Sequence, residues 1–382
     1  MIRPETSAEL AEALREAAAH HRTIALGGNG SKRQMAGPVE PADVGITTTG
    51  LRRVLQYEPR DLTISVEAGM PWCELNQLVG DNGQIIPLDP PYAETATVGG
   101  VIASNSSGSR RRLYGTARDL VIGMTFATLE GKLVQSGGMV VKNVAGLDMA
   151  KLMIGSFGTL AGMTVVNFKL TPAPRMERSF LLTFDTLAQA AAARDGVLKS
   201  VLQPSAVDLL NPSAAGPIGS REWVLAFRVG GNPAVIERYE REFSAVGQGI
   251  ALEGAPHEQL WRYVQNFTPR FLASNPDGAV VRASCTLKEL EQVMASFPGP
   301  AIARAGSGVC YGCLADPQAA SGWMKDAVGR GWKAIIESCS ERGQRELELW
   351  PATGGDFELM KRIKQMFDPE GLLNRGRLYR RI

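Results

Sequence analysis

The chain has 382 residues, of which 44% are hydrophobic and 21% are charged, and its formal net charge is +2 at pH 7. This length allows a large buried core and favours two domains. The balanced charge, without a basic stripe of interleaved aromatic residues, argues against a nucleic-acid binder. No apolar run approaches the roughly 20 residues that span a bilayer, and the first residues form no apolar signal segment, so a cytoplasmic location is expected.

Apolar periodicity and turn residues predict a mixture of helices and strands in the first half of the chain. Thr6 and Glu9 form a capping box before a helix over 10–17, and a strand over 23–26 leads into a glycine-rich loop. The other predicted elements are strands at 62–68, 84–88 and 164–170, a helix that begins near Pro71, a hairpin of 121–129 with 132–135, and a helix at 148–154.

Two prolines within residues 171–174 interrupt regular hydrogen bonding and predict a linker. Strands and helices follow it, which predicts an antiparallel sheet with helices on one side. The predicted strands are at 180–184, 223–229, 279–283, 301–305 and 346–349, and the predicted helices at 187–201, 233–246 and 317–328. A final predicted helix at 356–366 ends before a Phe-Asp-Pro-Glu-Gly segment at 367–371.

The cysteines and histidines suggest little metal chemistry. Five scattered cysteines in a chain of this size indicate reduced thiols, not a disulfide framework. Cys310 and Cys313 form a CxxC pair, which is either half of a metal site or two buried thiols. Without a second pair the buried thiols are favoured, and no metal ion is expected. The histidines are His20, His21 and His257.

The loop at residues 27–32 is the first motif that indicates a ligand. A strand breaks into three glycines within four residues, followed by Ser31 and Lys32. Glycines allow positive φ values, and successive N–H groups turned to one point form a nest for an anion such as a diphosphate. The order of residues matches neither a P-loop nor the common dinucleotide fingerprint. By itself the loop is equally compatible with a plain tight turn.

Further motifs follow the loop in a fixed order. They are Val-Glu-Ala-Gly-Met at 66–70 with an Asp-Pro-Pro turn at 89–91, a glycine- and serine-rich segment at 96–108 with Leu-Tyr-Gly at 113–115, and Leu-Met-Ile-Gly-Ser-Phe-Gly-Thr-Leu-Ala-Gly-Met at 152–163. Together with a closing segment at 367–376, the set resembles the vanillyl-alcohol oxidase family with its PCMH-type FAD domain. The resemblance covers roughly residues 1–172 and 356–382.

That resemblance implies an α+β fold: a two-subdomain PCMH-type FAD-binding domain with an inserted cap of antiparallel sheet plus helices. The expected domains are 1–172 for FAD, 175–355 for a cap of the substrate-binding type, and 356–382 returning to the FAD domain. The loop and the helix start at 97–101 are expected to supply N–H donors to the diphosphate. Many relatives attach the flavin covalently through a histidine, and Asn29 stands at that place, so FAD is expected to bind non-covalently.

The residues expected to bind the cofactor come from all of these motifs and from the closing segment. They are Gly27, Gly28, Asn29, Gly30, Ser31, Lys32, Pro90, Thr97, Val98, Gly99, Gly100, Asn105, Gly108, Tyr114, Gly115, Gly158, Leu160, Gly162, Met163 and Asn374. Relatives usually show Asn-Pro-Gly where this chain has Asn-Arg-Gly at 374–376, and Asn374 is expected on the flavin side.

Within the family, the chain is most similar to the FAD-binding E subunits of bacterial glycolate oxidases, on the strings at 69–75, 140–149 and 305–312. The resemblance implies a complex with a second flavoprotein subunit and an iron–sulfur subunit. This complex would oxidise glycolate to glyoxylate, pass electrons to the respiratory chain, and be able to associate peripherally with the membrane. The alternative is a stand-alone FAD-dependent dehydrogenase of a small 2-hydroxy acid such as lactate.

Oxidation of a 2-hydroxy acid needs a base for the hydroxyl proton and a cation for the carboxylate. Relatives that oxidise hydroxy acids carry a histidine-rich, metal-linked string on the cap, which this sequence lacks. Arg228, Arg282 and Arg304 fall late in predicted cap strands and either converge on a carboxylate or lie on a solvated sheet face. His257 is either a base or a histidine at a surface helix end. The sequence therefore predicts that a partner subunit performs the main substrate chemistry.

Overall fold

The computed structural model describes residues 1–140 and 147–382, so most of the string at 140–149 lies outside the described residues. The described chain divides into two units. The first consists of Met1–Ser107, Gly115–Ala173 and Ala352–Ile382, and the second of Gly108–Tyr114 and Pro174–Pro351. The last residues thus return to the unit that contains the N-terminus.

The Gly108–Tyr114 segment is a correction to the expected 1–172 domain, because the structure assigns it to the second unit. Its arginines find their partners there. Arg110 pairs with Glu177 at 3.1 Å, and Arg112 donates to the Pro204 carbonyl oxygen at 3.1 Å. Charged side chains that meet distant partners cannot be located from the local sequence pattern.

Several of the helices begin at a side-chain cap. In the described residues they are α1 (Ser7–Ala19), α2 (Trp72–Gly80), α3 (Val98–Ala103), α4 (Arg111–Tyr114), α5 (Ala117–Leu120), α6 (Ala150–Met153), α7 (Leu187–Lys199), α8 (Pro212–Ala215), α9 (Pro233–Val246), α10 (Gly254–Gln265), α11 (Phe267–Ser274), α12 (Leu290–Ala295), α13 (Pro317–Gly329), α14 (Glu341–Glu346) and α15 (Gly355–Phe367). α1 begins where the Thr6 hydroxyl accepts the Glu9 N–H at 3.1 Å. Within the described ranges, no helix has both the length and the apolar character that crossing a bilayer requires.

The strands form separate sheets in the two units. In the described residues they are β1 (Ile24–Gly27), β2 (Val44–Thr47), β3 (Val54–Glu58), β4 (Thr63–Glu67), β5 (Gln84–Ile85), β6 (Val121–Ala127), β7 (Leu133–Gly137), β8 (Gly162–Lys169), β9 (Thr171–Pro172), β10 (Met176–Phe184), β11 (Ala206–Leu210), β12 (Trp223–Gly231), β13 (Gly249–Leu252), β14 (Ala279–Ser284), β15 (Ala301–Arg304), β16 (Val309–Leu314) and β17 (Lys333–Cys339).

The first unit combines an antiparallel sheet with a parallel strand pair. The described part of the sheet has the order β3-β4-β8-β6-β7, while β1 pairs with β2 in parallel. Trp72 of α2 and Val98 of α3 pack with Val66 of β4 and Phe168 of β8 in one buried core. This packing holds α2 and α3 against the sheet.

The closing segment extends the β1–β2 pair. The Ile24 N–H donates to the Leu372 carbonyl oxygen at 2.8 Å, and the Asn374 N–H donates to the Ile24 carbonyl oxygen at 2.9 Å. Leu373 is fully buried beside Leu10 and Leu14 of α1. The last residues of the chain are therefore joined by backbone hydrogen bonds to the strand that precedes the glycine loop.

The second unit is an antiparallel sheet with the order β13-β10-β12-β11-β15-β16-β14-β17 in the described residues. Phe180 and Leu182 pack on one face with α7 and α9, and Leu181 packs on the other face with α10 and α11. The prediction of helices on one side is wrong, because consecutive apolar residues bury both faces of the strands. The strand predicted at 346–349 is also wrong, since α14 ends there and β17 forms the sheet edge.

Candidate cofactor site

A cleft in the first unit brings the ordered sequence motifs together. It holds about 830 Å³ of empty space, open to solvent, and lies between the loop after β1, the start of α3, the segment before β8 and the closing segment. The expected cofactor residues that line it are Gly27, Gly28, Asn29, Gly30, Ser31, Lys32, Thr97, Gly99, Gly100, Gly158, Met163 and Asn374. Segments more than 300 residues apart along the chain thus share one cleft.

The other expected residues have different positions. Val98 and Leu160 are buried in the core, and Gly162 packs against Leu10 and Leu14. Gly108 and Tyr114 belong to the second unit. The described cleft lining does not include Pro90, Val98, Asn105, Gly108, Tyr114, Gly115, Leu160 or Gly162.

The loop after β1 presents backbone donors. Among the described residues, the N–H groups of 28–31 donate to no protein acceptor. Gly30 supplies the turn with φ +71°, and the Asn29 side chain donates to the Thr95 carbonyl oxygen at 2.9 Å. The Thr47 hydroxyl donates to the Gly28 carbonyl oxygen at 3.2 Å. Successive N–H groups without protein partners form the kind of nest that holds a phosphate.

Two glycines of this loop serve different purposes. A Cβ at Gly28 would lie 2.2 Å from Thr97 Oγ1, so Gly28 allows the loop to approach the start of α3. A Cβ at Gly27 would meet no atom within 4 Å, and Gly27 lines the cleft. Only Gly30 of the three loop glycines has a positive φ in the described structure. Close packing against Thr97, and not left-handed backbone, explains the glycine at 28, whereas no protein atom lies where a side chain at 27 would begin.

The start of α3 does not supply the expected donors. The Val98 N–H donates to the Met70 carbonyl oxygen at 2.9 Å, and the Gly99 N–H donates to the Ala68 carbonyl oxygen at 2.6 Å. The Gly100 N–H donates to Thr97 Oγ1 at 3.2 Å. This expectation is therefore corrected: α3 forms a smooth glycine wall of the cleft, and its first N–H groups are satisfied within the protein.

Two buried cations line the cleft. Lys32 is 8% exposed, and its Nζ lies 3.4 Å from the Pro91 carbonyl oxygen and 5.9 Å from the centroid of the Tyr92 ring. Burial lowers the pKa of Lys32 to about 8. Arg377 is 6% exposed, and burial together with the charge of Arg33 lowers its pKa to about 10. Sequence analysis missed Arg377, because nothing local distinguishes it from the exposed arginines around it.

Asn374 holds two walls of the cleft together. Its Oδ1 accepts the Leu26 N–H at 2.7 Å, and its Nδ2 donates to the carbonyl oxygens of Leu26 and Phe157, each at 2.9 Å. Gly158 has φ +69°, and a Cβ there would lie 2.7 Å from Asn374 Nδ2. The polar atoms of Asn374 thus bind the protein backbone on two sides of the cleft, and Asn374 also lines the cleft, as expected for a residue on the flavin side.

These features fit a long cofactor that carries a diphosphate. The loop provides N–H donors, the two cations provide positive charge, and the glycines leave room for close approach. Leu26, Ala161 and Met163 add apolar surface suited to a planar ring.

The comparisons with known proteins agree with this fit. Residues 1–137 match the model of an FAD binding domain, and residues 349–378 match the C-terminal domain of FAD linked oxidases. The chain is a flavoprotein with a PCMH-type FAD-binding domain. The two matched regions contribute the loop and the closing segment that meet at the cleft.

Three named relatives match the chain over different lengths. The flavoprotein is 34% identical over 174 residues to glycolate oxidase subunit GlcE of Escherichia coli, covering 45% of this chain and 49% of that protein. It is 23% identical over 418 residues to glycolate oxidase subunit GlcD of Bacillus subtilis, covering 99% and 88%. It is 31% identical over 224 residues to D-lactate dehydrogenase [cytochrome] 1 of Saccharomyces cerevisiae, covering 54% and 38%. The match therefore spans about half the length of the GlcE protein and less of the yeast protein.

A solved structure supports the fold. Alkyldihydroxyacetonephosphate synthase superposes with a TM-score of 0.73 at 18% identity, covering 97% of this chain and 76% of that one. At this identity the similarity concerns the fold alone.

The arginines expected to bind a substrate carboxylate are paired with protein carboxylates in the second unit. Arg228 pairs with Glu177 at 2.6 Å, Arg282 with Glu337 at 3.1 Å, and Arg304 with the fully buried Asp208 at 2.9 Å. They occupy three separate ion pairs. In this structure the predicted convergence on one carboxylate does not occur.

Of the two alternatives for His257, the surface position is wrong, because the side chain is buried. It is 4% exposed on α10, its Nδ1 is hydrogen-bonded with Ser179 Oγ at 2.7 Å, and its Nε2 lies 3.8 Å from Glu177 Oε2. Burial raises the pKa of Glu177, but the neighbouring His257 ring and the charges of Arg110 and Arg228 outweigh it, so the net pKa lies well below the usual range. Glu177 is therefore an anion among cations.

The two cysteines of the CxxC string face opposite sides of β16. Cys310 packs in the core beneath α7 and α9, and Cys313 packs in the core beneath α10 and α11. Side chains three residues apart on a strand point to opposite faces. The hydrogen bond with Cys285 and burial raise the pKa of the Cys310 thiol, and burial raises that of Cys313.

Proposed function

We propose that this flavoprotein is the FAD-binding subunit of a multi-subunit glycolate oxidase. The complex would oxidise glycolate to glyoxylate and deliver electrons to the respiratory chain, with a second flavoprotein subunit and an iron–sulfur subunit as partners. The similarity to proteins named glycolate oxidase subunits supports this assignment. Peripheral attachment to the inner face of the membrane through the complex is part of the proposal.

We also propose that a partner subunit performs the main substrate chemistry. The ion pairs of the arginines in the second unit support this part of the proposal. A 2-hydroxy acid would have to displace Glu177 from Arg228 or Asp208 from Arg304. Removing one partner of a buried ion pair typically costs about 3–5 kcal/mol, because the other charge is left uncompensated. A small carboxylate gains too little elsewhere to offset that cost.

The flavoprotein's own residues would hold and orient the cofactor. FAD, when bound, supplies an acceptor for a hydride and can pass electrons on. The N–H groups of residues 28–31 and the Lys32 ammonium would bind its diphosphate, and Asn374 would keep the loop and the segment at 157–158 at the correct separation. The glycine wall of α3 would exclude water from one side.

The second candidate is a stand-alone dehydrogenase of D-lactate. The similarity to a yeast D-lactate dehydrogenase favours it, and so does the position of His257 in the second unit. His257 Nε2 has no hydrogen-bond partner among the described residues and lies beside the carboxylate of Glu177. Histidine is the side chain that most often serves as a general base, so this nitrogen is the candidate base in the second unit.

Single-turnover reduction of the flavin separates the two candidates. The FAD-loaded chain alone is mixed anaerobically with glycolate, D-lactate or L-lactate, and bleaching of the flavin absorbance is followed; dithionite confirms that the flavin can be reduced. We expect bleaching at least about a hundredfold slower than after addition of the partner flavoprotein, since a positioned base typically contributes that much. Rapid bleaching by D-lactate alone, abolished in His257→Ala, would establish the second candidate instead.

A further inference from the structure

Lys32 and Arg377 differ from the other buried lysine and arginine side chains of the described residues. Lys364, Arg304 and Arg194 are each ion-paired, with Asp368 at 2.6 Å, Asp208 at 2.9 Å and Asp195 at 2.6 Å respectively. In the described part of the chain, no carboxylate pairs with Lys32 or Arg377. Buried charges in proteins are almost always paired, because an isolated one is costly.

Backbone oxygens are the acceptors around the Arg377 guanidinium in the described residues. It donates to the carbonyl oxygen of Gly37 at 2.5 Å and to those of Lys32 and Arg33, each at 3.3 Å. Its guanidinium carbon lies 5.2 Å from the centroid of the Phe157 ring. The guanidinium thus neutralises carbonyl dipoles at the end of the glycine loop, while the N–H groups of residues 28–31 have no protein acceptor in the described structure.

The two cations are neighbours in one cleft. Arg377 Nη2 donates to the carbonyl oxygen of Lys32 itself, and both residues line the same cleft as the loop after β1. Two buried positive charges beside a row of N–H donors require about two negative charges from a ligand to be neutral. A diphosphate diester has that charge and matches both kinds of donor.

We propose that Lys32 and Arg377 form a cationic pair that binds the diphosphate of FAD, and that each cation contributes at least about tenfold to the affinity for the cofactor. Arg377 acts in two ways: it holds the end of the loop through three carbonyl oxygens and contributes charge to the anion site. The flavoprotein therefore distinguishes FAD from flavins without a diphosphate mainly through these two side chains. ADP, which carries a diphosphate without the flavin ring, is expected to bind to the same place.

The experiment compares the apoproteins of Lys32→Met, Arg377→Met and Arg377→Lys with the parent chain. Arg375→Met is the matched control, since Arg375 is exposed, carries the same charge and does not line the cleft. FAD and riboflavin affinities are measured by fluorescence quenching, and ADP and adenosine are tested as competitors of FAD. We expect Lys32→Met and Arg377→Met to weaken FAD and ADP binding by at least about tenfold and riboflavin binding by less than about twofold. The FAD affinity of Arg377→Lys should lie between those of Arg377→Met and the parent chain, and the FAD affinity of Arg375→Met should equal that of the parent chain.

Thermal unfolding distinguishes a charge role from a purely structural one. Lys32 has one long hydrogen bond to the protein, so Lys32→Met should leave the melting temperature of the apoprotein unchanged or higher while reducing the increase that FAD produces. Equal loss of FAD and riboflavin binding in Arg377→Met would overturn the proposal in favour of loop support alone. Unchanged FAD and ADP affinity in Lys32→Met would also overturn it, and this variant decides the question if Arg377→Met does not fold.

Discussion

At the scale of single residues, two side chains of the cleft differ in how fully the protein satisfies their polar atoms. Asn374 is satisfied, because its amide oxygen and nitrogen make three hydrogen bonds to the backbone of Leu26 and Phe157. Lys32 is poorly satisfied, because burial disfavours its charge and the hydrogen bond that its Nζ makes in the described residues is a long one, 3.4 Å to the Pro91 carbonyl oxygen. A satisfied residue shapes a site, whereas an unsatisfied charge is available to a ligand.

The pKa of Lys32 leads to a prediction about pH. Its value of about 8 in the apoprotein is lowered from 10.5 by burial. A bound anion favours the charged form, so binding FAD above pH 8 requires uptake of a proton. We expect the FAD affinity to be constant below about pH 7 and to fall by up to about tenfold per pH unit above 8. The stability of the apoprotein changes with pH in the opposite direction to the FAD affinity. Its free energy of unfolding rises between pH 8 and 10.5, because the Lys32 side chain of the unfolded chain is more fully protonated there than that of the folded chain.

The measurement is the FAD dissociation constant from about pH 6.5 to about pH 9.5, since this range spans the titration. The titratable and charged groups near Lys32 are Tyr92, Arg33 and Arg377, and Arg377 has a pKa of about 10, well above that of Lys32. Lys32→Met should therefore remove the decline that begins near pH 8 and leave only the smaller decline that Arg377 causes toward the upper end of the range. A decline of the same size in that variant would assign the pH dependence to another group.

At the scale of elements, one buried ion pair joins α15 to the closing segment. Lys364 Nζ donates to Asp368 Oδ2 at 2.6 Å and to the carbonyl oxygens of Thr159 and Leu373 at 2.7 and 2.9 Å. Asp368 accepts the N–H groups of Leu372 and Leu373 at 2.9 and 2.8 Å. The pair thus fixes the strand that carries Asn374 against the segment that precedes β8.

Replacing Lys364 with Met should destabilise the first unit. Asp368 would remain buried without its cation, which typically costs about 3–5 kcal/mol of the free energy of unfolding. The FAD affinity should fall as well, since Asn374 would lose its support. Lys361→Met is the control, because Lys361 forms an exposed pair with Glu358 on the same helix and should change stability by less than about 1 kcal/mol. Urea denaturation of the two apoproteins measures the difference, and similar midpoints would contradict the role of the buried pair.

At the scale of the whole molecule, the charges of the two units are used differently. In the second unit Glu177 and Asp208 neutralise the arginines that a substrate would need. In the first unit the described cleft lining contains cations and backbone donors, and it includes Asn29, whose side chain binds the Thr95 carbonyl oxygen. Such a lining suits a cofactor held by charge and hydrogen bonds, without a covalent link.

Acid precipitation tests this mode of attachment. Denaturation removes every contact within the cleft at once, so a non-covalent flavin should appear entirely in the supernatant. The absorbance of the supernatant and of the washed pellet measures the two fractions. Before denaturation, FAD at about a hundred times its dissociation constant should stabilise the chain by about 2.7 kcal/mol. Yellow colour retained in the pellet would show a covalent bond.

Much of the cofactor assignment was determined by the sequence. Glycine clusters in a fixed order at 27–30, 99–108 and 155–162 allow close backbone approach at several points, and FAD is what the resemblance of this ordered set to the PCMH-type family implies. The match of residues 1–137 to an FAD binding domain confirms that prediction. The capping box at Thr6 and the alternation of strands were also readable, because capping and periodicity depend on neighbours along the chain.

Only the tertiary structure decided which groups remain available to a ligand. The first N–H groups of α3 are bonded to Met70 and Ala68, so the loop after β1 is left as the donor, and no local pattern distinguishes these cases. Arg377 acquired its role by burial, which depends on a closing segment that pairs with β1 from the other end of the chain. Arg228 lost its predicted role because Glu177, on the neighbouring strand, is its partner. Burial and ion pairing depend on contacts between segments that are far apart in the sequence, whereas sequence patterns indicate only interactions between neighbouring residues.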